Sequence, residues 1–243
     1  MVSIIVPARN EEETITATLS QLTENLKDLD YEIIVVNDHS TDQTEKIVKE
    51  FSQNHPEVRV ISNIFHKGLG GALKTGFRES KGEFVVPVMA DLCDDPKTII
   101  KMYELGKRGF DVICGSRYIP GGGRIGGPRW KAILSRLAGS IYHFLTGIPT
   151  KDTTNAFKMY KKKALENLEI ESKGFEISVE LSLKLYFKGY KFTEIPTKWR
   201  GRKKGKSKFS FSKLFLPYLK WLLWGIRKRL VRVQESVTTP HCS

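Results

Sequence analysis

Cysteine is scarce in this chain: among 243 residues only Cys93, Cys114 and Cys242 carry thiols, an odd number without metal-type spacing. That argues against a disulfide framework and a structural zinc site, and leaves reduced thiols as the expectation. The opening MVSIIVP has no basic n-region, and no charge-free apolar stretch of signal-peptide type follows it. No export signal is expected, and the cytoplasm is the expected compartment. The apolar stretch from Leu214 to Trp224 is too short to cross a bilayer, which takes about 20 residues. Two phosphate-loop signatures are missing as well. HKGLGGALKTGF at 66–77 has neither a Walker Lys-Ser/Thr pair nor GxGxxG spacing. Finally, acid is absent from one region: 198–232 holds thirteen Lys and Arg and no Asp or Glu, which accounts for the net charge of +13 and leaves the remainder near neutrality.

What is present is enough for a folded protein. At 40% hydrophobic residues, the chain can bury a full core as one large domain or one domain with an appendage. Apolar β-branched runs at 2–6, 32–36, 58–61, 83–88 and 111–114 alternate with helical periodicity. Asn10 with Glu13 three residues later reads as a helix start, followed by Ile15, Leu19, Leu22 and Leu26 on one face. After the second run, NDHSTD opens a helix carrying Ile47, Val48 and Phe51. This order predicts an α/β fold, a mainly parallel sheet with helices on both faces. The basic block is interleaved with Phe209, Phe211, Leu214, Phe215, Leu216, Trp221, Leu222, Leu223 and Trp224. It reads as amphipathic helix lying in a membrane interface, tryptophans at headgroup depth and Arg227, Lys228 and Arg229 on anionic lipid. The competing reading is a helix docked on the protein's own core. Residues 1–208 are expected to form the main domain, 209–232 the membrane-associating segment, and 233–243 a disordered tail.

Polar residues gather where strands end. Pro7, Asn10 and Glu11 follow the first, Asp38 the second, and VVPVMADLCDDP ends in Asp91, Asp94 and Asp95. In a doubly wound sheet these points share the carboxyl edge, where ligands bind. Asp91 there suits a divalent metal held against phosphate, although Asp-Asp-Pro is also an ordinary helix start. Asp38 can accept from a base N–H or a ribose hydroxyl, or simply cap a turn. Gly68, Gly70 and Gly71 allow close backbone approach beside the positive Lys67 and Lys74.

Taken in order, VPARNEEETI, EIIVVNDHSTDQT, KGLGGALKTGF, MADLCDDP, GSRYIPGG and EIPTKWRGRKKGKSK resemble glycosyltransferase family 2, and within it the branch of dolichyl-phosphate mannose synthases and polyprenyl-phosphate glucosyltransferases. The resemblance spans residues 2–208 and implies the Rossmann-like GT-A fold. It makes Pro7, Glu11 and Asp38 nucleotide contacts and Asp91 the anchor for Mg²⁺ or Mn²⁺ and diphosphate, with Asp94 and the Ala90 backbone beside it. Arg117, Lys131, Ser135, Arg202 and Lys208 would engage phosphates of donor or acceptor. Tyr118, Gly121–Gly123 and 126–128 would form a mobile loop at the acceptor. Asp152, Asn155 and Glu176 would line the acceptor side or, alternatively, serve as a helix cap and solvated helix face.

The sequence departs from the family where Met89 replaces the first Asp of Asp-x-Asp, Cys93 the Gln, Arg9 an aromatic and Asn37 an acid. Met and Cys are poor substitutes for oxygen ligands of Mg²⁺ or Mn²⁺. The polysaccharide-synthase motif QxxRW is absent. The implied activity is inverting transfer of a hexose from a GDP-mannose or UDP-glucose type donor to polyprenyl or dolichyl phosphate, peripherally on the cytoplasmic membrane face. A membrane-protein partner is compatible with this reading. The alternative is a catalytically silent nucleotide-sugar-binding module acting on a membrane or partner. Nucleic-acid binding ranks last, because the basic block carries a membrane-type apolar face.

Overall fold

The computed structural model describes residues 1–202 and 211–238. The first half alternates strictly: β1 (Val2–Ala8), α1 (Ile15–Leu26), β2 (Tyr31–Asn37), α2 (Thr44–Ser52), β3 (Val58–Ser62), α3 (Leu69–Glu79), β4 (Phe84–Pro87), α4 (Lys97–Lys107) and β5 (Val112–Ser116). Beyond it come β6 (Gly123–Ile125), α5 (Arg129–Thr146), β7 (Lys158–Lys161), α6 (Lys162–Glu166), α7 (Ile177–Phe187), β8 (Phe192–Pro196), β9 (Lys198–Arg200) and α8 (Phe211–Thr238). Seven strands form one sheet in the order β3-β2-β1-β4-β7-β5-β8. All neighbours are parallel except β7, which runs antiparallel between β4 and β5. The expected α/β architecture with helices on both faces is therefore present.

Strand alternation divides the core. Ile4, Val6, Ile33 and Val35 pack with Leu19 and Leu22 of α1 and Ile99 and Met102 of α4 on one face. Ile5, Ile34 and Val36 pack with Leu73 and Phe77 of α3 and with Ile177 and Leu181 of α7 on the other. Each of these buried aliphatics contributes about 1.5–3 kcal/mol relative to exposure. The predicted α1 face of Ile15, Leu19, Leu22 and Leu26 is wholly buried.

Several local expectations are corrected. Pro7 lies inside β1 rather than after it. Pairing of β1 with β4 stops at Ile5, so Pro7 has a partner strand only on the β2 side, a place where proline's missing N–H is tolerated. Asn10 does not cap α1. It adopts φ 51°, which Asn accepts more readily than most residues, and its side-chain oxygen receives the Thr41 amide at 2.8 Å. The helix starts at Ile15, whose amide reaches back to the Glu11 carbonyl. Gly123, expected in a mobile loop, belongs to β6, which pairs in parallel with β9 as a two-stranded ribbon. α8 continues past Arg232 to Thr238.

The tryptophan expectation is also overturned in part. Trp221 is 2% exposed and packs with Tyr142 of α5 and with Val179 and Leu183 of α7. Its helix is thus seated on the body of the protein. Away from that seat, Phe215, Leu216, Leu223 and Leu230 are exposed. No helix among the described residues is long and apolar enough to cross a membrane.

Candidate active site

The order β2-β1-β4 brings three strand ends side by side, so the residues following Ala8, Asn37 and Pro87 meet at one edge as expected. After β2, the Asp38 carboxylate is nearly buried. It accepts the Gly68 amide at 3.0 Å with both oxygens and Asn63 Nδ2 at 2.8 Å. Asp38 therefore ties the glycine loop, and Lys67 just before it, to the sheet edge. Asn37, in the place of the usual acid, braces the same turn: its amide donates to Glu45 at 2.6 Å and its oxygen accepts the Ser40 amide.

After β1, Glu11 is buried, its amide donating to Thr44 Oγ1 at 2.9 Å and its carboxylate accepting Thr14 Oγ1 at 3.2 Å. The other Glu11 oxygen pairs with Arg202 Nη2 at 3.0 Å, while Arg202 Nε lies 3.3 Å from Asp91 Oδ2. One guanidinium thus bridges the ends of two strands. It is delivered by β9, whose Arg200 amide donates to the Cys93 carbonyl at 2.8 Å. Ala90 is buried, and its carbonyl accepts Thr18 Oγ1 of α1 at 3.1 Å, fixing the backbone that presents Asp91. Leu92 takes φ 60°, a left-handed conformation that is strained for a bulky residue and is found mostly at functional sites.

The acids beyond Leu92 have divided duties. Asp95 Oδ1 accepts the Lys97 amide at 3.2 Å just before α4, so Asp95 belongs to the helix start, although Pro96 rather than Asp95 is the N-cap residue. Asp94 accepts the Met89 amide at 3.3 Å, and burial together with the Asp91 charge pushes its carboxyl up to about 7. Neighbouring carboxylates that resist joint ionisation are a site short of positive charge. They fit a hard divalent cation, and Arg202 already stands in for one between Glu11 and Asp91. Among the described residues, no group of three or more His, Cys, Asp or Glu gathers to hold an ion. The oxygens present therefore suit a metal shared with phosphate rather than a closed protein cage. Cys93 is no ligand substitute, because burial and Asp91 drive its thiol far up, away from the thiolate form.

A second cluster lies beside the first, close enough that Arg117 lowers the proton affinity of Asp94. Arg117 follows β5 and is clamped by Asp152, with Nε to Oδ2 and Nη2 to Oδ1 each at 2.7 Å and the backbone amide to Oδ2 at 2.9 Å. Burial opposes the guanidinium charge and Asp152 more than offsets that opposition. Arg117 Nη2 also donates to Ser135 Oγ of α5 at 2.9 Å, and Ser135 meets Thr154 at 3.1 Å. Tyr118 donates to the Ala132 carbonyl at 3.2 Å, while Lys131, one residue before in α5, carries its ammonium 5.5 Å from the centroid of the exposed Trp130 ring. Lys208 lies outside the described residues.

Arg117, Ser135 and Tyr118 thus come together, and Glu11, Asp91, Asp94 and Arg202 form an adjoining group. Asp152 is the buried partner of Arg117 rather than a helix cap. Asn155 donates to the Gly115 carbonyl at 2.8 Å, and Glu176 accepts the Lys173 and Gly174 amides at the start of α7 rather than facing solvent. Sequence reasoning missed Asn63, Lys158 and Glu180. Lys158 is fully buried, its ammonium donating to the Thr153 carbonyl at 2.9 Å and to that of Asn155. A lone acid in the apolar run ISVELSL was the available signal for Glu180.

α5 has two unlike flanks. Ser135, Gly139, Tyr142 and Thr146 face the body of the protein, whereas Trp130, Ile133, Leu137 and Phe144 are exposed, Phe144 at 78%. A groove of about 350 Å³ beside it is lined by Tyr118, Arg136, Ser140, His143, Phe144 and Lys151, joining basic and apolar character.

The profile described as Glycosyl transferase family 2 matches residues 3–169. The chain is similar to a dolichol-phosphate mannosyltransferase of Pyrococcus furiosus, 34% identical over 218 residues that make up 88% of this chain. It spans 60% of the length of that protein. It is 30% identical to a polyprenol monophosphomannose synthase of Mycolicibacterium smegmatis, covering 96% of this chain and 90% of the relative. Among solved structures it is similar to glucosyl-3-phosphoglycerate synthase from Mycobacterium tuberculosis in complex with Mn²⁺, uridine diphosphate and phosphoglyceric acid, with TM-score 0.69, 18% identity and coverage of 94% of this chain and 78% of that one. S. aureus TarS 1–349 in complex with UDP-GlcNAc gives TM-score 0.65 at 20% identity, over 92% of this chain and 66% of that one. At such identities the solved structures speak for the fold alone, and that fold is GT-A.

Proposed function

Because the chain belongs to glycosyl transferase family 2, we propose that it transfers a hexose from a nucleotide diphosphate sugar to the phosphate of a long polyprenol, working peripherally at the cytoplasmic face of a membrane. The observation that carries this reading is the double character of α5. One flank brings Ser135 to Arg117 at 2.9 Å, and the other exposes Ile133, Leu137 and Phe144. A phosphate bound by the first group would have its lipid tail beside the second. The names of the Pyrococcus and Mycolicibacterium relatives support mannose as the hexose and a polyprenyl phosphate as acceptor.

The chemistry matches a site without a dedicated base. A phosphate monoester has a second pKa of about 6 and reaches the site largely dianionic, so no residue has to take a proton from it. One phosphate oxygen bonds to the anomeric carbon from the face opposite the leaving group, the bond from that carbon to the diphosphate oxygen breaks, and the configuration inverts. Arg117 and Lys131 hold the acceptor phosphate, Arg202 offsets charge near the diphosphate, and Glu11, Pro7 and Asp38 shape the nucleotide side. Asp91 and Asp94 would hold Mg²⁺ or Mn²⁺ together with donor phosphate, and the cation would neutralise charge on the leaving diphosphate. Met89 and Cys93 favour one other reading, a nucleotide-binding module without turnover.

The test is a donor screen with dolichyl or undecaprenyl phosphate, Mg²⁺ or Mn²⁺, and each labelled GDP- or UDP-sugar. Label entering the lipid phase with one donor, and lost in Asp91→Asn, is expected. Nucleotide binding with no transfer from any donor would favour the silent module.

A further inference from the structure

We propose that Trp221 is a positioning residue for the donor pocket: it acts from α8, through the segment 171–174, on the glycine loop that Asp38 holds. The inference rests on the nucleotide-sugar reading of that pocket. Trp221 is buried beneath the described part of α8, yet its indole Nε1 donates outward at 3.0 Å to Ser172 Oγ. Ser172 is not a passive acceptor. Its amide and that of Glu171 donate at 2.7 and 2.8 Å to the two oxygens of Glu180, a carboxylate wholly buried in α7.

The opposite side of the same segment carries the glycine loop. Gly70 donates its amide to the Lys173 carbonyl at 3.0 Å. A Cβ on Gly70 would fall 2.3 Å from the Ser172 carbonyl oxygen, so the two backbones are in direct contact. Two residues earlier, Gly68 at φ +125° gives its amide to Asp38. The path from α8 to Asp38 thus consists of one indole, one hydroxyl and backbone, with no long flexible side chain in it. Such a path transmits position because each step is a directional bond in a buried setting.

Charge reinforces the same seat. Lys220 and Lys184 stand over the Trp221 ring, 5.1 and 5.0 Å from its centroid, and both reach Glu171, at 2.8 and 2.9 Å. Docking of α8 therefore fixes segment 171–174 from its side chains while the glycine loop rests on its backbone. A residue of α8 that touches no part of the nucleotide edge then governs how well that edge is formed.

The experiment uses the full chain and titrates GDP and UDP calorimetrically without lipid, then measures steady-state kinetics with the donor found active. Trp221→Phe and Ser172→Ala each remove one end of the Trp221–Ser172 bond. Both are expected to raise the nucleotide Kd and the donor KM about 5-fold, the worth of one hydrogen bond of ordinary net strength. Turnover at saturating donor and the acceptor KM should stay at the wild-type level, and the double variant should be no worse than either single one. Trp224→Phe supplies the packing control, since Trp224 stacks edge-on to Trp221 and Phe187 and has no hydrogen bond to the segment among the described residues. It should lower stability without moving the nucleotide Kd. Unchanged nucleotide affinity in folded Trp221→Phe and Ser172→Ala, or an equal shift in Trp224→Phe, would overturn the proposal. If Trp221→Phe does not fold, Ser172→Ala against Trp224→Phe decides alone. A wild-type chain that binds neither nucleotide would instead strike at the parent reading of the pocket.

Discussion

Asp152→Ala is the most demanding test of the acceptor-side geometry. The carboxylate is wholly buried, and three Arg117 donors converge on it at 2.7, 2.7 and 2.9 Å. Its removal leaves the guanidinium in a site only 8% exposed, with Ser135 as its remaining partner among these bonds. Breaking a buried pair from one side costs about 3–5 kcal/mol. The upper half of that range is expected here, because the buried Lys158 ammonium is near enough to feel Asp152 and would lose it too. For a chain of this size each kcal/mol is about 2–4 °C in Tm, so the midpoint should fall by roughly 10 °C or more. Arg117→Met should cost less, since Asp152 keeps the Lys158 charge nearby, and the double variant should cost clearly less than the sum of the two. Urea denaturation followed by circular dichroism gives all three values. A loss under about 1 kcal/mol for Asp152→Ala would be the worth of an exposed pair. That value, or strict additivity, would refute the picture of a mutually dependent buried pair.

Three further outcomes are expected. Gly70→Ala would press a methyl against the Ser172 carbonyl oxygen at 2.3 Å and the Lys173 Cα at 2.8 Å. Backbone cannot move aside cheaply, so urea denaturation should show a loss of about 1–3 kcal/mol. Asp94, pushed up to about 7, binds its proton more tightly folded than unfolded. In metal-free buffer, stability should therefore fall as pH rises from about 4 to 7, and Asp94→Asn should flatten that slope; an unchanged slope would remove Asp94 as its source. Ile133→Glu and Phe144→Glu replace side chains 66% and 78% exposed. Each should leave Tm within error and reduce flotation with anionic vesicles about tenfold, the scale of one large apolar side chain; full retention would detach α5 from the membrane reading.

Legibility followed the range of the interactions. The first four strands could be read because each is a short β-branched run, and their ends could be grouped because parallel connections are chirally constrained. Asp91 and Glu11 were visible for the same reason. β7 was harder: KMYK looks like a basic surface segment, and only the carbonyls of Thr153 and Asn155 make Lys158 acceptable inside. Trp221 was assigned to lipid because an indole among lysines suits headgroups, whereas its actual partner, Ser172, stands 49 residues away in sequence. Asn10 failed as a cap for a similar reason, since Thr41 across the strand ends outcompeted the local helix amides. Local propensity identified elements well, and long-range hydrogen bonds decided the polar side chains.

The bridge made by Arg202 also bears on how the protein is made. Its partners Asp91 and Glu11 precede it by 111 and 191 residues. At about 5–20 residues per second, a ribosome exposes Asp91 roughly 5 to 20 seconds before Arg202 can follow. Throughout that interval the nascent chain carries the Glu11 and Asp91 carboxylates without the guanidinium that bridges them in the finished fold. Arrival of β9 ends the wait. Charge balance at the edge is thereby a late event of synthesis, and a chain stalled before residue 202 would present that acidic edge to quality control.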